Sequence, residues 1–79
     1  GRDVRSDYAK AMALFEEAVE KGHVGGMINL AVMKFQGLGC DQDREAAYAL
    51  LGKARDQGSH AAGQMLRDWK GKERERSEK

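Results

Sequence analysis

The sequence repeats with a period of 36 residues, and this repetition restricts the possible folds more than any other feature. Matching residues stand 36 positions apart along much of the chain, among them Asp7 and Asp43, Leu14 and Leu50, and Gly22 and Gly58. A period of this length is typical of repeat proteins, in which each unit buries its apolar face against its neighbours. We therefore expect one structural unit to recur along the chain.

Apolar residues recur at helical spacing between the glycines, and the chain contains no proline. Tyr8, Met12, Phe15 and Val19, for example, follow one another at intervals of three or four residues and so share one face of a helix. Four such segments predict helices at about residues 7–21, 25–36, 43–57 and 61–70, followed by a charged C-terminal tail at 71–79. Because no apolar residue follows Trp69, this tail is either a solvated helix extension or a frayed end. The predicted fold is all-α, an α-solenoid of two antiparallel helix pairs within residues 1–70.

The predicted loop between the second and third helices covers residues 37–43. Gly37 and Gly39 can adopt a positive φ at little cost, and Asp43 stands where a helix N-cap is expected. Gly1, Val4 and Asp7 stand in register with Gly37, Cys40 and Asp43, so the same loop is predicted at the start of the chain. Two further glycines, Gly25 and Gly26, weaken the first turn of the second helix and predict that another helix packs closely there.

Composition excludes several classes of function. The 79 residues include 14 basic and 13 acidic side chains, so the net charge of +1 provides little attraction for nucleic acid or anionic membranes. No apolar run approaches the ~20 residues of a membrane-spanning helix, so no membrane insertion is expected. The single cysteine excludes an intramolecular disulfide and favours a reducing intracellular compartment, although it does not establish one.

No pattern predicts catalysis, a metal site or a cofactor. Gly37-x-Gly39 lacks the preceding strand and the following Lys-Ser/Thr of a phosphate-binding loop, so a turn is the better interpretation. His23 and His60 stand in equivalent turns without further ligands at metal-binding spacing. Cys40 occupies a small apolar position, which favours burial over reactivity. The sequence therefore predicts a protein that is not an enzyme.

These patterns resemble the Sel1-like repeat, a relative of the tetratricopeptide repeat. Asp7-Tyr8-Ala9-Lys10-Ala11, with Phe15, Ala18 and Gly22, resembles the second helix of that repeat, and Gly37-Leu38-Gly39-Cys40 resembles its Gly-x-Gly-Val loop. A second copy is recognisable in Asp43, Ala47, Lys53, Ala54, Gln57 and Gly58. The resemblance covers roughly residues 1–70 and implies an adaptor or scaffold that binds a peptide or protein on its concave helical face.

Departures from the family pattern indicate the C-terminal end of an array. The Leu-Gly pair of the family is Leu30-Ala31 in one copy and Leu66-Arg67 in the next. A guanidinium at Arg67 would not fit where the family glycine allows two helices to approach closely. Residues 73–76, where another Gly-x-Gly loop would stand, read Glu-Arg-Glu-Arg.

Two functions remain open at this stage. In the first, a protein or peptide partner binds the helices that line the concave side, and the expected contacts are Asn29, Met33, Lys34, Gln36, Trp69 and Lys70. A position in the core is equally well supported for Met33 and Trp69. In the second, the chain is a structural end piece or self-association element, because the helix expected before Tyr8, Met12 and Phe15 lies outside this sequence. These three side chains would then form the contact of a homo-oligomer.

Overall fold

The computed structural model describes the backbone of residues 4–77 and the side chains of residues 7–72, and it is built from four helices. They are α1 (Val4–Glu20), α2 (Val24–Gln36), α3 (Arg44–Asp56) and α4 (His60–Ser77). No strand occurs between residues 4 and 77. The prediction of an all-α helical repeat is therefore confirmed.

The helix boundaries differ most from the predicted ones at the two ends of the described chain. Helix α1 begins at Val4 rather than near Asp7, and α4 continues through Ser77 into the segment predicted as a tail. The loop predicted at the start of the chain falls partly on residues 1–3, which lie outside the described residues. Asp7 is not an N-cap but lies within α1. Asp3 stands at the position of Gly39, so the second glycine of the loop is missing from this copy.

Glycines with positive φ end the helices, as predicted. Gly22, Gly37 and Gly58 have φ values of 82°, 74° and 104°, which a residue with a side chain rarely adopts. The backbone N–H of Gly37 donates to the carbonyl of Met33 and closes the last turn of α2. At the start of α3 the Asp43 carboxylate accepts a hydrogen bond from the Ala46 N–H at 3.0 Å, which confirms the predicted N-cap.

Consecutive helices pack against each other in two layers. Helix α2 lies between α1 and α3, and α3 lies between α2 and α4. The short connections make neighbouring helices antiparallel. A ring contact between Phe35 of α2 and Trp69 of α4 places these two helices side by side in one layer.

The core lies where α2, α3 and α4 meet. Its buried members are aliphatic or small residues, namely Met27, Ala31, Ala47, Leu51, Ala54, Ala62 and Leu66. Met27 and Leu51 are the largest side chains that are fully buried. Partly buried residues of α1 and α2, including Val19, Val24 and Ile28, pack against this cluster from its other side.

Helices α1 and α2 approach closely at Gly26. A Cβ atom at this position would lie 2.5 Å from the Ala18 Cβ and 3.2 Å from the Phe15 carbonyl oxygen. Gly25 is exposed and would meet no atom within 4 Å. The close crossing predicted from the two glycines therefore depends on Gly26 alone.

Candidate partner-binding surface

Three aromatic rings from three helices meet at one end of the α2–α4 layer. The rings of Phe35 and Trp69 are stacked, with centroids 4.2 Å apart and an interplanar angle of 30°. Tyr48 of α3 approaches Phe35 at 6.2 Å with a tilt of 54°. All three rings are half-buried, so each contributes to packing and also leaves part of its surface accessible. Pairs with this geometry add about 0.5–1.5 kcal/mol beyond the burial of their area.

Two cationic side chains lie over these rings. The Arg44 guanidinium is 5.6 Å from the centroid of Phe35, and the Lys70 Nζ is 5.5 Å from the centroid of Tyr48. Both distances are within the range of a cation–π interaction. Because Lys70 is exposed, its charge is available at the edge of the aromatic cluster.

The chain that returns from α2 to α3 fixes the end of α2 beside this cluster. The Asp43 backbone N–H donates to the Lys34 carbonyl at 2.7 Å, and the Gln42 side-chain amide donates to the Phe35 carbonyl at 2.8 Å. Carbonyls in the last turn of a helix have no partner within the helix. The loop therefore supplies their hydrogen bonds and holds residues 34–36 in place.

The structure brings four of the six predicted partner contacts to this region. Lys34 and Gln36 flank Phe35 in sequence, while Trp69 and Lys70 lie beside it on α4. Gln36 and Lys70 are exposed, and Lys34 and Trp69 are half-buried. Asn29 is also exposed, but it precedes Gln36 by seven residues, or about 10 Å along the helix.

Met33 does not belong to an accessible surface. Its side chain is only 5% exposed, so a partner cannot reach it in this arrangement of the helices. The interpretation of Met33 as a contact residue was wrong, and its alternative as a core residue is correct. Trp69 is half-buried: its ring stacks on Phe35 and the residue remains partly accessible, so its assignment as a partner contact stays a prediction.

Sequence reasoning did not assign Phe35, Tyr48 or Arg44 to the site. Phe35 carries the central ring of the cluster, but its counterpart 36 residues later is Gly71, so the repeat gave no indication of its importance. Tyr48 and Arg44 belong to α3, which was not expected to line the partner-binding side. Their spacing of four residues, which places both on one face of α3, was the available signal.

The residues weighed for other chemistry lie at or between helix ends. His23 is exposed in the α1–α2 turn, His60 is exposed as the first residue of α4, and the Cys40 thiol is free and half-buried in the α2–α3 loop. Across the described part of the chain, no three His, Cys, Asp or Glu side chains are grouped so that they could hold a metal ion. No described helix is both long enough and apolar enough to span a bilayer.

Comparison with known families agrees with this arrangement of helices. The sequence model of the Sel1 repeat matches residues 1–23 and 24–59. The chain belongs to the Sel1 repeat family. The second match contains α2 and α3, which form the core together with α4, and the first match contains α1.

Sel1 repeats are generally non-catalytic protein-interaction modules, which suggests a protein partner for this chain. No curated protein and no solved structure matches the chain. The residues of this chain therefore have to indicate where a partner binds.

Proposed function

We propose that this Sel1 repeat domain is an adaptor that binds a peptide or protein segment at the aromatic cluster on the α2–α4 side. The observation that carries the proposal is the Phe35–Trp69 stack, which joins α2 to α4 and is still partly open to solvent. Aromatic side chains that are fixed before binding lose little entropy on association, and Trp and Tyr are enriched among the residues that dominate binding energy.

The charges around the cluster indicate what the partner segment carries. The Lys70 ammonium lies over the Tyr48 ring, and Lys34 precedes Phe35 in sequence. Gln36 adds an exposed amide that can both donate and accept hydrogen bonds. A segment with an apolar or aromatic anchor next to a carboxylate would match this surface. Asn29 extends the contact along α2 for a longer segment.

Selection from a random peptide library displayed on phage, followed by titration, tests this proposal. We expect selected peptides to change the Trp69 fluorescence and to shift the backbone amide resonances of residues 34–36 and 69–70. A Lys34→Gln/Lys70→Gln variant should bind them at least about fivefold more weakly, because the lost charge-assisted contacts together should cost about 1 kcal/mol or more. A Lys10→Gln/Lys53→Gln variant removes the same charge from exposed positions on α1 and α3 and should bind normally.

Two results would refute the proposal. One is that selected peptides shift resonances elsewhere and leave the amides around Phe35 and Trp69 unchanged. The other is that the two double variants lose affinity equally, which would mean that only the overall charge of the domain matters.

A second function, self-association through α1, is favoured by a comparison of α1 with α3. The two helices occupy equivalent positions in the repeat, but their equivalent residues are buried to different extents. Leu51 is fully buried, whereas its counterpart Phe15 is half-buried. Leu50 packs against the core, whereas its counterpart Leu14 is 65% exposed. The difference arises because α3 lies between two helices, whereas α1 packs chiefly on α2.

The open side of α1 would be covered by the same side of a second copy. Tyr8, Met12 and Phe15 are each half-buried, so each could lose further apolar surface in such a contact. Covering Leu14 alone would contribute about 1–2 kcal/mol, judged from the 1.5–3 kcal/mol of a fully transferred side chain. The contact would be symmetric, with the same patch of each copy facing the other.

Sedimentation velocity over about a hundredfold concentration range tests self-association. Leu14→Glu should abolish the dimer without unfolding the chain, because Leu14 is exposed. Ala49→Glu introduces the same charge at an exposed position of α3 and should leave the dimer intact. A wild-type chain that remains monomeric at every concentration would exclude this function and leave the adaptor proposal unaffected.

A further inference from the structure

The groove between α1 and α2 and the groove between α3 and α4 are equivalent in the repeat, but they differ in their lining residues and in whether other side chains cover them. The groove between α1 and α2 is lined by apolar residues, namely Val19, Val24, Met27, Ile28 and Ala31, and all of them lie in the core or pack against it. Their counterparts 36 residues later line an open cleft between α3 and α4, and these are Arg55, His60, Gly63, Gln64 and Arg67. Met27 and Ala31 of the first groove are buried in one cluster with Ala47, Leu51 and Ala54 of α3, whereas the second groove is an open space of about 480 Å³.

The open cleft is basic. Arg55 and Arg67 line it together with His60, and no acidic residue is among its lining residues. The first turn of α4, which borders the cleft, also contains no acidic residue. Arg55 has a carboxylate of Asp56 at 3.6 Å, but both side chains are more than half exposed, so this ion pair is weak.

Glycine at position 63 makes room for the arginine. A Cβ atom there would lie 3.2 Å from the Cγ of Arg55, so the methionine of the equivalent position in α2 would require the flexible arginine side chain to shift. The apolar pair Val19 and Met27 is thus replaced by Arg55 and Gly63, which together leave a concave surface with a guanidinium on its wall.

We propose that this cleft binds an acidic helical segment of a partner protein. A helix fits because Met27 and Ala31 of the equivalent groove share one buried cluster with the buried face of the helix α3. Carboxylates fit because guanidinium groups donate paired hydrogen bonds to them and no acidic residue of the cleft lining competes. This site shares no residue with the aromatic cluster and would remain if binding at that cluster were disproved.

A peptide derived from the helix that fills the equivalent groove is a suitable probe. It consists of residues 43–57 with Ala47→Glu, Leu51→Glu and Ala54→Glu, which place three carboxylates on the face that is buried in α3. A companion peptide carries glutamine at the same three positions. Binding of fluorescein-labelled peptides is measured by anisotropy at about 0.15 M salt, and the site is mapped by amide shifts in the 79-residue chain.

We expect the glutamate peptide to bind saturably, to shift the amides of residues 58–67, and to bind at least about tenfold more tightly than the glutamine peptide. Arg55→Gln/Arg67→Gln should weaken binding by at least about tenfold, since both contacts are charge-assisted. The control Lys53→Gln/Lys72→Gln removes the same charge from exposed residues that do not line the cleft, and it should change affinity less than about twofold.

Four results would overturn the proposal. The first two are that the glutamate peptide shows no saturable binding at about 1 mM and that the two peptides bind equally tightly. The other two are that both double variants lose the same amount of affinity, and that the peptide shifts mainly the amide resonances of residues 34–36 and 69–70. A ten-nucleotide thymidine oligomer is titrated in parallel. Tighter binding of the oligomer at residues 58–67 would also overturn the proposal, because it would identify the cleft as a site for nucleic acid. If the arginine variant lost its helical signal, the two peptides and the shift map of the wild-type chain would still decide the question.

Discussion

Substitution of the adjacent glycines Gly25 and Gly26 by alanine should have opposite effects on stability. Both lie in the first turn of α2, where alanine favours a helix over glycine by up to ~1 kcal/mol. Gly25→Ala places its methyl group where no atom lies within 4 Å, so no clash opposes the helix-propensity advantage of alanine. We expect the free energy of unfolding to rise by about 0.5 kcal/mol.

Gly26→Ala places its methyl group against α1. The distances of 2.5 Å to the Ala18 Cβ and 3.2 Å to the Phe15 carbonyl oxygen are well below the ~3.5–4.0 Å of a normal contact. Neither neighbouring atom can move by a side-chain rotation, so α1 and α2 must separate. Overpacking of this kind costs about 1–3 kcal/mol, which exceeds the helix-propensity gain. We expect a net loss of about 1–2 kcal/mol relative to the wild type.

Urea denaturation followed by far-ultraviolet circular dichroism measures both changes, provided that the dependence on urea is the same in all variants. Combining Gly26→Ala with Ala18→Gly removes the closest contact. The double variant should therefore lose about 1 kcal/mol less unfolding free energy than the sum of the losses in the two single variants. A Gly26→Ala variant as stable as Gly25→Ala, or additive effects in the double variant, would refute the close crossing of α1 and α2.

Three further substitutions test other parts of the fold. Trp69→Ala should cost about 2–3 kcal/mol in thermal or urea unfolding because it removes a half-buried stacked ring, whereas Trp69→Phe should cost less. Gly39→Ala should lower the unfolding midpoint more than Gly58→Ala does. Both glycines have a positive φ, but a Cβ at position 39 would lie 2.7 Å from the Tyr8 Cβ, whereas a Cβ at position 58 would meet no atom within 4 Å. Asp43→Ala removes the N-cap of α3 and should cost about 1 kcal/mol, and Asp43→Asn should restore most of that loss.

Much of the fold follows from local features of the sequence. The turns at Gly22, Gly37 and Gly58 and the N-cap at Asp43 could be predicted because backbone conformation and capping depend on a few adjacent residues. The apolar stripe of α3 could be predicted for a similar reason, since helical spacing decides which residues share a face. The chain after residue 70 was predicted as either a solvated helix extension or a frayed tail, and α4 continues to Ser77 because charged side chains do not prevent a helix from continuing.

The candidate sites depended on contacts between distant residues and were harder to predict. Positions 25 and 26 are both occupied by glycine, but only Gly26 faces α1. Met33 and Trp69 occupy equivalent positions, yet Met33 is buried and Trp69 is half-buried. The basic cleft was not recognised because Arg55 and Arg67 belong to different helices. Only Arg67 was singled out in the sequence, as a residue too large for a close helix crossing.

The basic lining of the α3–α4 cleft also determines where a duplicated repeat can be added to the array. Another helix of the α3 type packed beyond α4 would cover Arg55 and Arg67. Burying two guanidinium groups without carboxylate partners would cost several kcal/mol. A lineage that lengthened the array there would first have to replace both arginines by small apolar residues, such as the valine and alanine at positions 19 and 31. The groove between α1 and α2 is already apolar, so a duplicated copy of residues 24–59 could be inserted after residue 23 with its first contacts intact.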